Sequence, residues 1–265
     1  MTDIGGPYVR ASSVTIFLRV VGALILREVR TRYGRNKLGF AWAIIEPLAL
    51  AGAFVYVHAL ISSHPQYGQS VALFYASGII PFRMFSGIAG QVTTAIRSNQ
   101  QLLAYPIVKP IDTVVARTLL ESATKIVVLL IAWLILRVTE DITIVHHPGT
   151  VISAIAAIIL LGASVGYFNA VVGLLFPVWE RVWSLMNLPL FISSGIFFVP
   201  SQLPPQALQY LTWNPVMSCL EWFRYGIYFD YIPVMSANYV FSLSVILLVT
   251  ALVFEKTAVV KMVER

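Results

Sequence analysis

Apolar runs of membrane length alternate along this chain with short polar breaks. The first strong boundary falls at residues 27–37, R-E-V-R-T-R-Y-G-R-N-K, set directly against the nearly uncharged stretch 38–61. At about 1.5 Å per residue that stretch is long enough for a hydrocarbon core of about 30 Å. Further spans are predicted over 71–96, 117–137, 151–176, 184–199 and 239–254. The turns between them are 61–70, 97–110, the acidic loop holding Glu140 and Asp141, and 177–183. Ahead of the first span, 14–26 is too short to cross. Its apolar positions Val14, Phe17, Leu18, Val21, Ile25 and Val29 recur at helical spacing, with Arg19, Arg27 and Arg30 grouped on another side. The segment 14–33 therefore reads as an amphipathic helix, lying on the membrane surface or packed on the chain's own spans.

Residues 200–236 break the pattern. They hold five prolines (200, 204, 205, 215, 233) and pieces such as 216–227 that are half a span long and carry Glu221 and Arg224. A further crossing would put the basic tail on the wrong side, so a pair of short helices dipping back from the outer face is expected. The resulting expectation is an all-α integral membrane protein with a single domain over 1–265, six transmembrane helices and both termini cytoplasmic. Of the 18 Lys and Arg residues, Arg83, Arg117 and Lys125 fall within helices and only Arg137 and Arg224 face outward, as the retention of basic residues inside requires.

Composition strengthens this reading. The chain is 58% hydrophobic and 11% charged, with a mean hydropathy of +0.81, whereas soluble domains are about a quarter charged. A net charge of +6 beside apolar spans is explained by topology and anionic headgroups, so no nucleic-acid partner is expected. Cys219 is the single cysteine; it has no intrachain disulfide partner and cannot form a cysteine-based metal site. Asp3, Arg10 and Arg19 interrupt the N-terminal region, and no signal peptide is expected.

Catalytic motifs are missing. No Gly-Lys dipeptide exists to start a phosphate-binding loop, and no histidine is followed by glutamate as a zinc hydrolase would need. His146 and His147 read as a solvated loop, and His58 and His64 as isolated. Glu46 lies within the first span, where a carboxylate is costly unless paired or protonated. Arg83 of the second span is its candidate partner, and the pair either fixes helix packing or lines a polar path. Pro47 follows and removes a backbone donor. Arg117, Glu121 and Lys125 are spaced for a ladder along one helix face, and Gly162 and Gly166 for close helix packing. The loop 97–110 carries Leu102, Leu103, Tyr105 and Ile107 and is too apolar for a solvated connector, which predicts docking to a protein or the membrane surface.

Four segments carry a resemblance: L-R-E-V-R-T-R-Y-G-R-N-K-L-G-F-A-W-A-I-I-E-P (26–47), G-I-I-P-F (78–82), V-K-P-I-D-T-V-V-A-R-T-L-L-E (108–121) and W-N-P (213–215). In order along the chain they resemble the membrane subunit of bacterial capsular-polysaccharide exporters, within the type-2 ABC permease family. The resemblance implies two copies of the permease in the bacterial inner membrane, paired with two copies of a separate ATPase that holds ATP and Mg. No cofactor is implied on this chain. It implies a lipid-linked polysaccharide as substrate, with periplasmic and outer-membrane export proteins beyond. By this resemblance 14–33 is an interfacial helix, 97–110 a coupling helix seated in the ATPase through Leu102, Leu103, Tyr105 and Ile107, and 200–236 a re-entrant hairpin closing the outer mouth. Glu46, Arg83 and Lys125 are then candidates for the substrate path. Tyr210, Trp213, Trp222, Tyr225 and Tyr228 are candidates to stack on sugar rings, or form an interfacial aromatic belt. O-antigen, teichoic acid or a small amphiphile are alternative substrates. An intramembrane enzyme acting on lipid or sugar would need a convergent acid/base pair that the sequence does not display.

Overall fold

The computed structural model describes residues 12–33, 37–61, 64–140, 145–234 and 236–263. The sequence features at Asp3, Arg10, 34–36, Asp141 and Arg265 lie outside them. Among the described residues the chain is wholly helical: α1 Ser13–Tyr33, α2 Lys37–Ile61, α3 Val71–Thr93, α4 Ala95–Ser98, α5 Pro110–Glu140, α6 Pro148–Leu175, α7 Trp179–Ser193, α8 Pro205–Leu211, α9 Pro215–Ile227 and α10 Ala237–Val263, with 3₁₀ turns at Gln100–Ala104 and Pro200–Gln202. Five of these helices, α2, α3, α5, α6 and α10, are long and apolar enough to cross a membrane.

Two expected boundaries move. The third span begins at Pro110 rather than at 117, because Asp112 accepts from the Lys109 backbone N–H at 2.8 Å and starts the helix early. The expected fifth span, 184–199, becomes α7 with 15 residues. It stops at Ser193, and two residues on Gly195 adopts φ +75°, a left-handed conformation that a helix cannot continue through. The pair of short helices expected in 200–236 is present as α8 and α9. Asn214 caps α9 by accepting from the Val216 and Met217 N–H groups at 2.9 and 3.4 Å, and Pro215 occupies the first helical position, where its missing N–H costs nothing.

Helix α6 is the central post, flanked along its length by α3 and α10 and at one end by α9. Its small residues make this possible. Ala154, Ala157, Gly162 and Gly166 are buried. A Cβ on Gly162 would stand 3.2 Å from the Phe85 carbonyl oxygen, and one on Gly166 would stand 2.7 Å from both the Ala89 carbonyl oxygen and Val92 Cβ. Apolar helices gain little from leaving lipid for one another, so close van der Waals contact carries the association. Gly166→Ala is therefore expected to cost about 1–3 kcal/mol by overpacking. Gly90→Ala, which meets nothing within 4 Å, should be neutral or slightly stabilising. Thermal unfolding of the two variants in detergent measures the contrast.

Helix α1 packs Val21 and Leu24 against Ala116 of α5, with Leu102 and Val108 joining the cluster. Val14, Leu18 and Leu26 remain on its exposed side. The two bundle ends differ in character: one gathers Arg97, Lys109, Glu180 and Lys261, and the other gathers Tyr67, Tyr228, Phe229 and Tyr231. We call them the basic and the aromatic end.

Candidate functional site

Three places hold the residues that the sequence singles out. The first is a partly exposed face shared by α2, α3 and α5. Arg83 Nη1 lies 3.9 Å from Glu46 Oε1, so the expected partner is in reach, with both side chains more than a third exposed. One turn along α3, a Cβ on Gly87 would meet Lys125 Cε of α5 at 2.6 Å, so the lysine stem lies across that position. Residues 83 and 87 are four apart and share one helix face. Glu46, Arg83 and Lys125 therefore form a short polar strip with a net positive charge. Arg117, at the start of the expected ladder along α5, also makes a tertiary contact. Arg117 is buried and its Nη2 donates to Glu28 Oε2 of α1 at 3.1 Å.

That contact opens the second place, at the basic end. Arg117 also donates to Ser98 Oγ at 2.9 Å and to Gln91 Oε1 at 3.3 Å. Arg27 of α1 donates to Asn99 Oδ1 at 2.8 Å, and Asn99 donates to the Ala95 carbonyl at 2.8 Å. One hydrogen-bonded group thus joins α1, the end of α3, α4 and α5. The following 3₁₀ turn carries Leu102 and Leu103, the segment just after it carries Tyr105 and Ile107, and these four expected docking residues divide. Leu102 packs on the α1–α5 cluster and Leu103 on the main core. Tyr105 and Ile107 are 64% and 65% exposed. Arg97 anchors the turn on the far side by pairing with Glu180 at 2.5 Å and donating to the Gly173 carbonyl at 3.3 Å.

At the aromatic end, the five expected rings also divide. Tyr210 and Trp213 are open to the surroundings. Trp222 is half-buried against Phe241, with ring centroids 5.9 Å apart, and Tyr225 stacks on His147 at 5.9 Å. Tyr228 is buried, edge-on to Tyr67 at 5.2 Å and stacked with Tyr231 at 6.0 Å. Burial raises its phenol to about 12, the nearby Arg224 charge acting in the opposite direction. It is a core residue of this end.

Arg224 does not face outward as the charge pattern suggested. It is fully buried, and its guanidinium donates to the carbonyl oxygens of Gly195 at 2.6 Å, Ile196 at 3.3 Å, Phe198 and Phe74 at 3.4 Å, and to Ser77 Oγ at 3.3 Å. The charge lies 4.3 Å from the Phe74 ring centroid. The Gly195, Ile196 and Phe198 carbonyls lie in the segment that follows the end of α7, and the Phe74 carbonyl belongs to α3. Gly78 permits the approach, since a Cβ there would stand 3.0 Å from Arg224 Nη2 and 3.2 Å from Ile196 Cα. Beside it, buried Glu221 accepts from Tyr231 and from the Val234 N–H. Asn214 ties the same region together by donating to Ser193 Oγ at 2.9 Å and Ser194 Oγ at 3.1 Å. Sequence reasoning missed this clamp. Its readable trace was the Asn-Pro pair as a helix start and Gly78 in an otherwise bulky apolar run.

The arrangement contains helices, a docking turn and a clamped short-helix pair, with no group of three or more metal-ligating side chains among the described residues. Comparison with known proteins decides what it is. The profile of the ABC-2 type transporter family matches residues 19–228. The chain belongs to this family. The permease is 34% identical over 238 residues to the polysialic acid transport protein KpsM of Escherichia coli, covering 89% of this chain and 92% of that protein. It is 29% identical over 218 residues to the capsule polysaccharide export inner-membrane protein CtrC of Neisseria meningitidis, covering 82% of each chain. The O-antigen export system permease protein RfbA of Klebsiella pneumoniae is 24% identical over 74% of this chain and 75% of its own length. The family match holds the polar strip, the Arg117 group with the docking turn, and the aromatic end as far as Tyr228.

Proposed function

We propose that this permease forms the membrane channel of an ATP-driven exporter that moves a lipid-linked capsular polysaccharide across the bacterial inner membrane. The observation that carries this reading is the match to capsule-export permeases along most of both chains. Two copies pair with two copies of a separate ATPase, which binds ATP and Mg, and periplasmic and outer-membrane export proteins receive the glycan. The basic end is cytoplasmic, where Lys and Arg near spans are retained, and both termini lie on that side. Helix α7 with 194–199 makes the sixth crossing, α1 rests at the inner interface, and α8 and α9 re-enter from the outer face. The net positive strip of Glu46, Arg83 and Lys125 suits an anionic glycan. Tyr210 and Trp213 are the rings placed to meet sugar at the exit.

The turn at 97–110 is the coupling contact. Because Leu102 and Leu103 hold the turn to the chain itself, the docking function falls to Tyr105 and Ile107. Burying a large side chain is worth roughly 1.5–3 kcal/mol, so Tyr105→Ser with Ile107→Ser is expected to weaken ATPase association roughly 100-fold or more, at about 1.4 kcal/mol per tenfold. Co-purification of the ATPase with the double variant, with thermal unfolding as a control for the fold, tests this. Partner recovery at wild-type stoichiometry would overturn the docking assignment. Loss of surface capsule with lipid-linked capsular glycan accumulating inside identifies the substrate, whereas accumulation of O-antigen would favour the reading suggested by the RfbA relative.

A further inference from the structure

No residue of α7 is buried within the chain. Trp183, Leu190 and Phe191 rest on the core from one side, while Leu185, Met186 and Leu188 are open on the other. Its two ends, in contrast, are held by polar contacts. At the basic end Arg97 spans the corner between α6 and α7, with Nη1 on Glu180 Oε1 at 2.5 Å and Nη2 donating to the Gly173 carbonyl at 3.3 Å. At the aromatic end Asn214 donates to Ser193 and Ser194, and Arg224 donates to the carbonyls of Gly195, Ile196 and Phe198. Both of these donors belong to α9, which Asn214 caps and Arg224 lies within. The docking turn and α9 are thus joined through α7, by contacts at each end of it. Helix α3 also runs between them, but its span is 72% buried, and a close-packed helix moves with the core around it rather than against it.

We infer that Glu180 is a positioning residue of transport: paired with Arg97, it makes α7 the link by which the docking turn shifts α8 and α9 at the outer face. The inference rests on the coupling role and the topology proposed above. The corner is built for such a link. The Arg97 and Glu180 side chains are 46% and 40% exposed, and exposed ion pairs add little to the stability of a fold, so the pair serves to register α7 against the turn. On the α6 side of the corner, Lys261 of α10 donates to the Leu175 carbonyl at 3.3 Å. Helix α6 is therefore held to α10 there, while α7 is tied to the turn through Glu180. Beneath the pair, Trp179 Nε1 donates to Asn169 Oδ1 at 2.9 Å, and the buried Asn169 Nδ2 meets no acceptor among the described residues. An unmet buried donor is costly, which favours a second arrangement of the corner in which it is satisfied.

The test uses the full chain co-purified with its ATPase in lipid nanodiscs, and follows amide hydrogen exchange by mass spectrometry with Mg-ADP and with Mg-ADP plus vanadate. In the parent, exchange over 205–213 at the outer end is expected to differ several-fold between the two states. Glu180→Ala should retain the ATPase, hydrolyse ATP close to the parent rate and unfold at the parent temperature, since the pair is exposed, yet lose most of that difference. Arg97→Glu combined with Glu180→Arg restores the pair in reverse and should recover a large part of it. An undiminished difference in Glu180→Ala, no difference in the parent, or no recovery in the reversed pair would each overturn the inference. Loss of the ATPase from Glu180→Ala would make the pair part of the docking surface and overturn it as well. A parent chain that binds no ATPase fails at co-purification, before exchange is measured, and overturns the coupling reading together with this inference. The readout needs no glycan, so its failure is distinguishable from failure of the proposed substrate.

Discussion

Arg224→Met is expected to be the most damaging single substitution in the chain. It preserves an unbranched apolar stem and removes the donors that satisfy four carbonyl oxygens and one hydroxyl inside the protein. Hydrogen bonds to a charged group contribute about 1.5–3 kcal/mol each, and a buried acceptor left without a donor costs about 1–3 kcal/mol. Relaxation and shared acceptors make these contributions non-additive, so a total loss of at least about 3 kcal/mol is expected, which places the substitution among the strongly destabilising ones. Arg224→Lys keeps the charge but presents donors from one nitrogen, which cannot reach carbonyls on both α3 and the 194–198 segment as the planar fork does. It should fall between the parent and the methionine variant. Thermal unfolding in detergent, followed by tryptophan fluorescence, orders the three proteins. A methionine variant that unfolds with the parent would remove the clamp from the account of the fold.

The second large effect is expected at Arg117, and it should appear as lost coupling as well as lost stability. Removing one member of a buried ion pair costs about 3–5 kcal/mol, and the partial exposure of Glu28 puts this pair at the lower end. Arg117→Met also releases Ser98 and Gln91, so α1, the docking turn and α5 would no longer share a common fastener. With the proposed ATPase bound, the variant is expected to hydrolyse ATP while exporting at least about tenfold less glycan, as loss of roughly 1.4 kcal/mol of coupling would give. Glu28→Gln retains a hydrogen-bond acceptor and should show a milder form of the same defect. Parallel measurement of phosphate release and of glycan delivered to the outside decides the matter. Equal losses in both would reduce Arg117 to a residue of the fold alone.

Much of the architecture is legible in the sequence because apolar length is a local property. The segments 38–61, 71–96, 151–176 and 239–254 each announce a span without reference to the rest of the chain, and the structure returns helices at those places. The pairing of Glu46 with Arg83 is legible for a related reason: two opposite charges in adjacent spans have few other partners. What escapes local reading is anything settled by a distant segment. The four-residue spacing of Arg117, Glu121 and Lys125 satisfies the rule for a helical ladder, but it says nothing of Glu28, 89 positions away, whose carboxylate accepts from Arg117 in the fold. Leu102 and Tyr105 look equivalent in an apolar loop, and only the packing of α1 separates the inward residue from the outward one. Tyr228 reads as a mouth aromatic until Tyr67 and Tyr231 enclose it. Helix α7 ends before its apolar run does because of the backbone at Gly195, a residue type that sequence pattern alone does not convert into a stop.

The break in α7 also bears on how this protein can change over evolutionary time. Helix α7 stops where Gly195 turns, the carbonyls freed beyond it are met by Arg224, and Arg224 fits only because Gly78 has no side chain. A residue with a Cβ at position 78 strands the arginine, a loss of the arginine strands the carbonyls, and a helical residue at 195 redirects those carbonyls away from the arginine. Each of the three positions is neutral only in the company of the other two. The three positions, drawn from regions far apart in the chain, are therefore expected to vary together among related permeases, which the residues at 78, 195 and 224 in aligned relatives would check.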